Sequence, residues 1–446
     1  MRSFSVPQGE TTMGKKKRGM YNMEPSQEER RTAVKLFRRD FTLVVIGQVI
    51  SLFGNAVLRF ALPLYLLRVT DSSTLYGTVT ACAFVPMVIF SLLGGVIADR
   101  VNKRNIMVAL DFSTAGVILV FYLLHGMVPL VPLLMVVLMI LYGIAGAYEP
   151  AVQASIPLLV DGEELVRGNA IINMVQTLSG LLGPILGGVL FGAFGIVPIL
   201  FLSTGCFLAS AVMEIFIHIP HVKRDRTDGM LTVVRQDLSE SWQYIRWEQP
   251  ELLKGVGLIA VFNMVLSSAF SVGIPVMVVQ FLGMSDASLG LTEAMVGLGG
   301  LAGGGLAGIA AHKIHIGGSH WILLGCAVGM AGMGIAMLPG IPVLAAYWLI
   351  NLMGFLTMVV SALFSVTILA MVQRITPAQL LGKVMATIMA VCSCAQPVGQ
   401  AAYGVLFDAM ASVPWLLLFF AAGFGVLLTA VSRPLFQKLE LRWSET

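Results

Sequence analysis

Four charged side chains lie inside long apolar stretches of this sequence, and they have the clearest capacity for chemistry. They are Arg59, Asp111, Glu149 and Glu293. A carboxyl group in apolar surroundings can take up and release a proton, and a guanidinium can serve as its counter-ion or contact a ligand. Because a charge in such a place is costly, each of the four is a candidate functional group.

The composition indicates that these charges belong to a membrane protein. Of the 446 residues, 57% are hydrophobic and only 12% are charged. Soluble domains carry about 25% charged residues, so this chain has too few to build a polar shell. We therefore expect an all-α protein that lies in a lipid bilayer.

Twelve apolar runs are long enough to cross a bilayer as helices. Each is near or above the ~20 residues that span the hydrocarbon core. Glycines and prolines inside the runs are tolerated because neighbouring helices satisfy the freed backbone groups. The predicted spans are residues 41–68, 74–98, 105–126, 130–157, 169–193, 195–217, 255–282, 289–311, 321–338, 342–371, 384–407 and 414–431.

The basic residues predict that both termini are cytoplasmic, because cytoplasmic segments collect lysine and arginine. Ten of the 28 precede the first span and sixteen fall in even-numbered connections or the C-terminal tail, whereas only Arg68 falls on the other side. An amphipathic pattern over residues 230–247 predicts a helix on the cytoplasmic surface. The expected organisation is a basic tail (1–38), a six-helix half (39–217), a cytoplasmic linker (218–254), a second six-helix half (255–432) and a cytoplasmic tail (433–446).

An internal repeat relates the two halves. Gly95 begins a Gly-x-x-x-Asp-Arg pattern, and 213 residues later Gly308 begins Gly-Ile-Ala-Ala-His-Lys at the same point of the second half. The same offset takes Pro184 to Pro397, each in the fifth span of its half. A repeat of this length predicts two related structural units.

Both fifth spans are preceded by residues with the spacing of a helix N-terminal box. Asp161 is followed three residues later by Glu164, and Thr376 is followed by Gln379. In such a box the first side chain accepts a hydrogen bond from the backbone of the first turn. We therefore expect Asp161 and Thr376 to cap the two helices.

Three short segments resemble the major facilitator superfamily of transporters. Residues 95–104, GVIADRVNKR, resemble the signature between its second and third helices. Residues 183–188, GPILGG, resemble its antiporter motif, and residues 148–151, YEPA, are similar to the branch that contains macrolide and siderophore exporters. The resemblance implies twelve helices in two pseudo-symmetric six-helix halves and drug:proton antiport.

The resemblance also implies a gate built by the first of these motifs, whose members are Gly95, Asp99, Arg100, Lys103 and Arg104. Asp99 ends a helix, where the helix dipole disfavours an anion, so it needs a positive partner. Arg100, Arg104 or the helix that follows Thr376 could supply one, and a partner in the other half would form only in the outward-open state. The alternative is that the basic residues only fix the topology.

The second motif contributes a packing surface, formed by Gly183, Pro184, Gly187 and Gly188. Gly183 and Gly187 are four residues apart and therefore share one helix face, where small residues permit close helix contact. The alternative is that these glycines only bend a helix that faces lipid.

Each intramembrane charge has two interpretations. Glu149 is our first candidate for the coupling proton, against a structural hydrogen bond, and Glu293 is a weaker candidate. Arg59 is expected to be a counter-ion or a substrate contact. Asp111 is expected to have a structural role tied to the adjacent loop, because its helix is peripheral in the family. Glu214 is expected to reach the membrane interface from its helix end.

Seven amide side chains are expected to add polar groups to the central cavity: Gln48, Asn55, Asn173, Gln176, Asn263, Asn351 and Gln396. With 25 methionines and 24 phenylalanines in the chain, the cavity should be soft and apolar, which favours bulky amphiphiles. The expected function is proton-coupled efflux of hydrophobic or amphiphilic compounds. A transporter of lysophospholipids or other lipid-like amphiphiles is the alternative, and a non-transporting receptor or scaffold is the third.

The sequence shows no motif for catalysis or for a cofactor. It has no G-x-x-x-x-G-K-[ST] phosphate loop, because Gly382 and Lys383 are followed by Val384. We expect no enzyme activity, cofactor, metal or nucleic-acid partner. The expected partners are a small amphiphilic substrate, protons and the lipids of the cell membrane, with the protein acting as a monomer.

Overall fold

The computed structural model describes residues 38–160, 164–220, 230–310, 318–377 and 379–445. Within these ranges it contains twelve helices that are long and apolar enough to cross a membrane, which confirms the predicted fold class. We number them α1 (Arg39–Thr70), α2 (Ser73–Arg100), α3 (Lys103–Leu124), α4 (Leu130–Leu159), α5 (Leu165–Phe194), α6 (Ile196–Ile215), α7 (Pro250–Phe281), α8 (Asp286–Ala310), α9 (Ser319–Ala336), α10 (Val343–Ile375), α11 (Leu381–Ala409) and α12 (Pro414–Glu445).

The helices pack in two sets of six with matching neighbours. In the first half α2 packs on α4, α3 on α6, and α1 on α5. In the second half α8 packs on α10, α9 on α12, and α7 on α11. The halves meet along two symmetry-related seams, α2 with α11 and α5 with α8. Because twelve crossings return the chain to its starting side, both described ends share one face, here called the terminal face; the opposite face is the loop face.

Glycines bring the two halves into backbone contact near the loop face. A Cβ on Gly77 of α2 would lie 2.5 Å from the carbonyl oxygen of Gln400 and 2.9 Å from Cα of Gly404 on α11. On the other seam, a Cβ on Gly188 would lie 2.5 Å from the carbonyl oxygen of Asp286. No larger residue fits at these crossings unless the helices separate.

The GPILGG segment of α5 serves two contacts at once. A Cβ on Gly183 would collide with Ala56, and one on Gly187 would lie 2.9 Å from Cδ1 of Phe60, both on α1. Gly188 faces the other way and meets α8 of the second half. The segment therefore packs within one half and also closes the seam between the halves.

The sequence predicted N-terminal caps for α5 and α11, and the prediction for α11 is wrong. Thr376 does not begin α11; it ends α10, and α11 begins at Leu381 after Leu380, whose side chain makes no capping hydrogen bond. Asp161 lies outside the described residues, and α5 begins after Glu164, whose side chain also makes no cap. The spacing around Thr376 suggested a box, but Thr376 does not supply the side-chain cap that the box requires.

The last helix is longer than predicted. α12 runs to Glu445, so most of the segment expected to be a tail, residues 433–446, continues the helix. Apolarity marks only the part of a helix that lies in hydrocarbon, whereas the hydrogen-bond ladder continues into polar residues without interruption.

A linker helix (Met230–Gln243) forms where the amphipathic pattern predicted one. It docks on the second half, because Lys383 of α11 forms ion pairs with Asp237 at 2.9 Å and Glu240 at 2.5 Å. The hydroxyls of Ser241 and Thr387 are 2.6 Å apart and fully buried. The preceding residues 221–229 lie outside the described part of the chain.

We expect Gly188→Ala to open the loop face. The added methyl group must push α5 away from the backbone of α8, which destabilises the conformation with a closed loop face by about 1–3 kcal/mol. The equilibrium between closed and open loop face should therefore shift toward the open form at least about fivefold. Spin labels at the exposed positions Val128 and Leu344, one on each half, measure the loop-face distance.

The control is Gly205→Ala, because a Cβ at Gly205 meets no atom within 4 Å. Identical distance distributions for Gly188→Ala and Gly205→Ala would contradict the role assigned to Gly188.

Candidate functional site

A cavity of about 630 Å³ lies between the two halves. The first half supplies most of its wall, from α1, α2 and α4, with further residues from α3, α5 and α6. The described residues that the second half contributes are Ser271, Pro275, Leu289, Glu293 and Gln400, which all lie toward the loop-face ends of their helices. The cavity therefore has its floor near the loop face and opens toward the terminal face.

An ion pair ties the halves together at the loop face. Nε of Arg68 donates to Oδ1 of Asp286 at 2.7 Å, and its Nη2 donates to the carbonyl oxygen of Met284 at 2.7 Å. Arg68 ends α1 and Asp286 begins α8, so the contact crosses between halves. The carboxylate also lies at a helix N-terminus, where the helix dipole stabilises an anion.

A second tie is formed by Asp408 of α11, which caps α2. Its Oδ2 accepts from the hydroxyl of Ser72 at 2.8 Å and from the backbone N–H of Thr74 at 2.9 Å, while Oδ1 accepts from the N–H of Ser73 at 2.9 Å. Backbone N–H groups at a helix start have no partner within the helix, so this carboxylate supplies one from the opposite half. We call Arg68–Asp286 and the Asp408 cap the loop-face latch.

All four charged residues singled out in the sequence line the cavity. The guanidinium carbon of Arg59 lies 4.1 Å from the ring centre of Tyr142, so the charge is held by a cation–π contact. Glu293 lies close enough to Tyr76 to interact with it electrostatically. Glu149 is exposed in the cavity and accepts a hydrogen bond of 3.3 Å from Gln153. The described lining of the cavity thus carries three carboxyl groups and one guanidinium.

The structure places two further acidic residues and contradicts the expectation for one of them. Asp111 is 2% exposed and lines the cavity, and its structural role at the adjacent loop stays a prediction. Glu214 does not reach the interface; it is fully buried and accepts a hydrogen bond of 2.8 Å from the hydroxyl of Tyr148. The reason is that α3 packs along α6, which turns both acids toward the interior of the first half.

The family of the chain follows from its sequence, because residues 44–400 match the model of the Major Facilitator Superfamily. The chain belongs to this superfamily. Macrolide efflux protein A of Streptococcus pyogenes is 23% identical over 408 residues, which cover 90% of this chain and 98% of that protein. The enterobactin exporter EntS of Shigella boydii serotype 4 (strain Sb227) is 26% identical over 398 residues, covering 88% and 90%.

Solved structures of the superfamily share the fold of this facilitator. The crystal structure of the nucleoside transporter NupG superposes with a TM-score of 0.71 at 10% identity, covering 90% of this chain and 99% of that one. Fold and family together indicate a multi-pass membrane transporter with a small-molecule substrate rather than an enzyme.

Of the seven amides expected in the cavity, three line it: Gln48, Asn55 and Gln176. The other four have other environments. The amide of Asn263 donates to the carbonyl oxygen of Cys392 at 3.2 Å, and that of Asn351 donates to Tyr347 at 2.8 Å. Asn173 is exposed outside the cavity, and Gln396 lies outside its lining, with its carbonyl oxygen bonded by Ser268.

Sequence reasoning missed several polar groups of the cavity: Ser51, Tyr76, Thr80, Thr114, Tyr142, Tyr148, Ser271 and Gln400. Two of them could have been identified from their positions in the sequence. Gln400 lies one helical turn after Gln396 and so shares its face, and Tyr148 immediately precedes Glu149 in the YEPA segment. Uncharged tyrosine and threonine side chains give no comparable signal, because membrane helices also use them in packing.

The GVIADRVNKR segment forms the end of α2, a short turn and the start of α3. Asn102, which replaces the glycine usual in this motif, caps α3 by accepting a hydrogen bond of 3.0 Å from the backbone N–H of Arg104. A Cβ on Gly95 would meet no atom within 4 Å. The side chain of Asp99 lies outside the described part of the structure, so its gate role stays a prediction.

We expect Asp408→Asn to weaken the loop-face latch while the protein stays folded. Both oxygens of the Asp408 carboxylate accept hydrogen bonds, whereas an amide has one acceptor oxygen. At least one hydrogen bond is therefore lost at a cost of about 1 kcal/mol, so the loop-face-open population should rise about fivefold. The Val128 to Leu344 label distance reports this shift.

Glu164→Gln serves as the control, because Glu164 pairs with the exposed Arg167 within one turn of α5, on the terminal face. If the loop-face-open population is unchanged in Asp408→Asn, the Asp408 cap does not help to hold the loop face closed.

Proposed function

We propose that this facilitator exports bulky amphiphilic compounds, with a preference for cations, in exchange for protons. The cavity is the observation that carries the proposal. Its volume of about 630 Å³ falls within the range of sites for drug-sized ligands, ~300–1,000 Å³. The three carboxyl groups and one guanidinium of its described lining, the latter held against Tyr142, favour a positively charged substrate.

The walls of the cavity support a large and partly apolar substrate. The wall includes the aromatic and methionine side chains of Phe60, Tyr76, Phe84, Met87, Tyr142, Tyr148 and Phe207. Flat rings and flexible thioethers adapt to ligands of different shape, which suits a transporter of several compounds. The names of the two relatives, a macrolide efflux protein and an enterobactin exporter, support export of large molecules.

We place both termini in the cytoplasm, because 26 of the 28 basic residues then face the side that collects them. The loop face is external and closed by the latch, and the cavity opens to the cytoplasm. Substrate enters from that side, the halves rock about their seams, and the latch opens to release it. The gate motif around Asp99 closes the cytoplasmic side in the opposite state.

Proton coupling is assigned to carboxyl groups that the substrate can reach. Glu149 and Glu293 both line the cavity, Glu149 toward the terminal face and Glu293 near the floor. A cationic substrate and a proton compete for the same carboxylate, so binding of one favours release of the other. This competition converts the proton gradient into export without any further component.

We expect Glu149→Gln to abolish uphill transport while downhill exchange survives, because the amide resembles a permanently protonated carboxyl. Proteoliposomes with an imposed pH gradient measure accumulation of a macrolide such as erythromycin, and the same vesicles without a gradient measure exchange. Glu248→Gln is the control, because Glu248 is exposed outside the spans.

Full gradient-driven accumulation by Glu149→Gln would show that Glu149 does not carry the coupling proton. Accumulation of a fluorescent lysophospholipid, but of no macrolide, by the wild-type protein would favour the lipid-transport alternative instead.

We expect Glu293→Gln to weaken binding of cations selectively. A hydrogen bond or contact to a charged group contributes about 1.5–3 kcal/mol, so the Kd of a lipophilic phosphonium cation should rise at least about tenfold. The Kd of a neutral analogue of the same size should change little. Equal losses for both ligands would show that Glu293 shapes the cavity rather than recognising charge.

A further inference from the structure

Two carboxyl groups are buried beside each other between α3 and α6, inside the first half. Asp111 is 2% exposed and Glu214 is fully buried, and the helices that carry them, α3 and α6, pack along each other. Asp111 also lines the cavity, whereas Glu214 lies behind it. The proton exchange proposed above is assigned to Glu149 and Glu293 and involves neither Asp111 nor Glu214.

No cation among the described residues neutralises this pair. The ion pairs of the described chain involve other acids: Asp286 with Arg68, Glu164 with Arg167, and Asp237 and Glu240 with Lys383. Arg59, the only cation among the described residues that line the cavity, is stacked on Tyr142. On α3 itself the nearest basic residues, Lys103 and Arg104, lie about two turns before Asp111.

The groups that surround the pair are neutral. α1 contributes Gln48 and Ser51, α4 contributes Tyr148, and α6 contributes Ser210, which lies within hydrogen-bonding reach of Asp111. The charged residue of α5 among the described residues, Arg167, is paired with Glu164. At the terminal end of the α1–α6 contact, Asp40 accepts from the backbone N–H of His218, whose side chain is exposed.

Each carboxyl has one buried oxygen without a hydrogen-bond partner, Oδ2 of Asp111 and Oε2 of Glu214. The other oxygen of Glu214, Oε1, accepts from the hydroxyl of Tyr148 at 2.8 Å, and that hydroxyl in turn accepts from Nε2 of Gln48 at 2.6 Å. A bare anionic oxygen in a buried site loses its hydration without replacement, whereas a protonated one carries no charge. Two adjacent anions add their mutual repulsion.

We propose that Asp111 and Glu214 form a proton-binding site, which holds at least one proton in this conformation and exchanges it with the cavity. On release, an O–H bond of the pair breaks, its electron pair stays on the carboxylate, and the proton passes to cavity water at Asp111. The pair then carries one more negative charge. On uptake the same bond forms again, so no other reactant is needed.

The position of the pair connects its charge to the cavity wall, and this link to transport rests on the proposed function. Tyr148 donates to Glu214 on one side and faces the cavity on the other, directly before Glu149 in α4. A more negative pair holds the Tyr148 hydroxyl more strongly, because hydrogen bonds to charged groups are stronger. Tyr148 is therefore a positioning residue that conveys the charge of the pair to the substrate site.

Infrared spectroscopy of the purified full-length protein in lipid tests the site without a substrate. Protonated carboxyl groups give a carbonyl stretching band that carboxylates lack. We expect wild-type protein at neutral pH to show this band, and Asp111→Asn and Glu214→Gln each to lose part of it. The control Glu248→Gln removes an exposed carboxyl and should leave the band unchanged.

Two results would overturn the proposal. One is a band that is the same in both variants and the wild type. The other is a band that stays constant from acidic to alkaline buffers, because the proton would then not exchange. Tyr148→Phe provides an independent check that keeps both carboxyls. Loss of its hydrogen bond to Glu214 should shift the pH at which the band disappears, and an unchanged pH would exclude Tyr148 as the positioning residue.

The spectroscopic and transport results can be separated. If Glu214→Gln loses its band and also its gradient-driven accumulation of erythromycin, the pair is a coupling site. If it loses the band but transports like wild type, the proton site stands and its link to transport is refuted. Failure of the wild-type protein to export any test compound would refute the proposed function and leave the infrared result valid.

Discussion

Four glycines, Gly77, Gly188, Gly290 and Gly404, allow the two halves to meet backbone to backbone near the loop face. Lipid tails are as apolar as leucine, so helices in a membrane associate through close packing and hydrogen bonds rather than through the hydrophobic effect. Close packing of this kind exists only while the helices stay in register. The seams therefore hold the halves together at one face, and the cavity exists because the halves diverge from there toward the terminal face.

The polar contacts of the latch act on the same seams. Asp408 and Asp286 each lie at the N-terminus of a helix, where a carboxylate meets unpaired N–H groups and the positive end of the helix dipole. Such contacts lie in water at the membrane edge, so their strength is modest and they can break once in each cycle. A latch of this kind suits a protein that must alternate between two conformations of similar free energy.

Inside the membrane the balance of charge differs from that at the faces. Arg59 is held by the ring of Tyr142 rather than by an acid, and within the described part of the chain no ion pair includes a carboxyl group of the cavity or of the Asp111–Glu214 pair. In a medium of low dielectric constant, protons or a bound cation must compensate these groups. The coupling of proton and substrate that we propose rests on this charge balance.

The sequence alone determined the twelve helices, because the hydrophobic length of each run and the thickness of a bilayer fix whether a helix spans. It also identified Arg59, Glu149 and Glu293 as cavity residues, because a charge in an apolar run must face a polar interior. It could not place Glu214, which lies close to a helix end and was expected in the interface. Only the packing of α3 on α6 decided that this side chain turns inward.

The same limit applies to the helix ends and to the amides. The spacing around Thr376 suggested an N-terminal cap, yet the chain ends one helix there, and the cap that closes a seam comes from Asp408, 336 residues away from Ser72. Asn351 and Gln48 look alike in sequence, but one bonds its own helix and the other faces the cavity. The hydrophobic pattern of the sequence predicts where each helix lies along the chain. The contacts between helices depend instead on how each helix is rotated about its axis and tilted in the membrane, and only the packing of the assembled bundle fixes these angles.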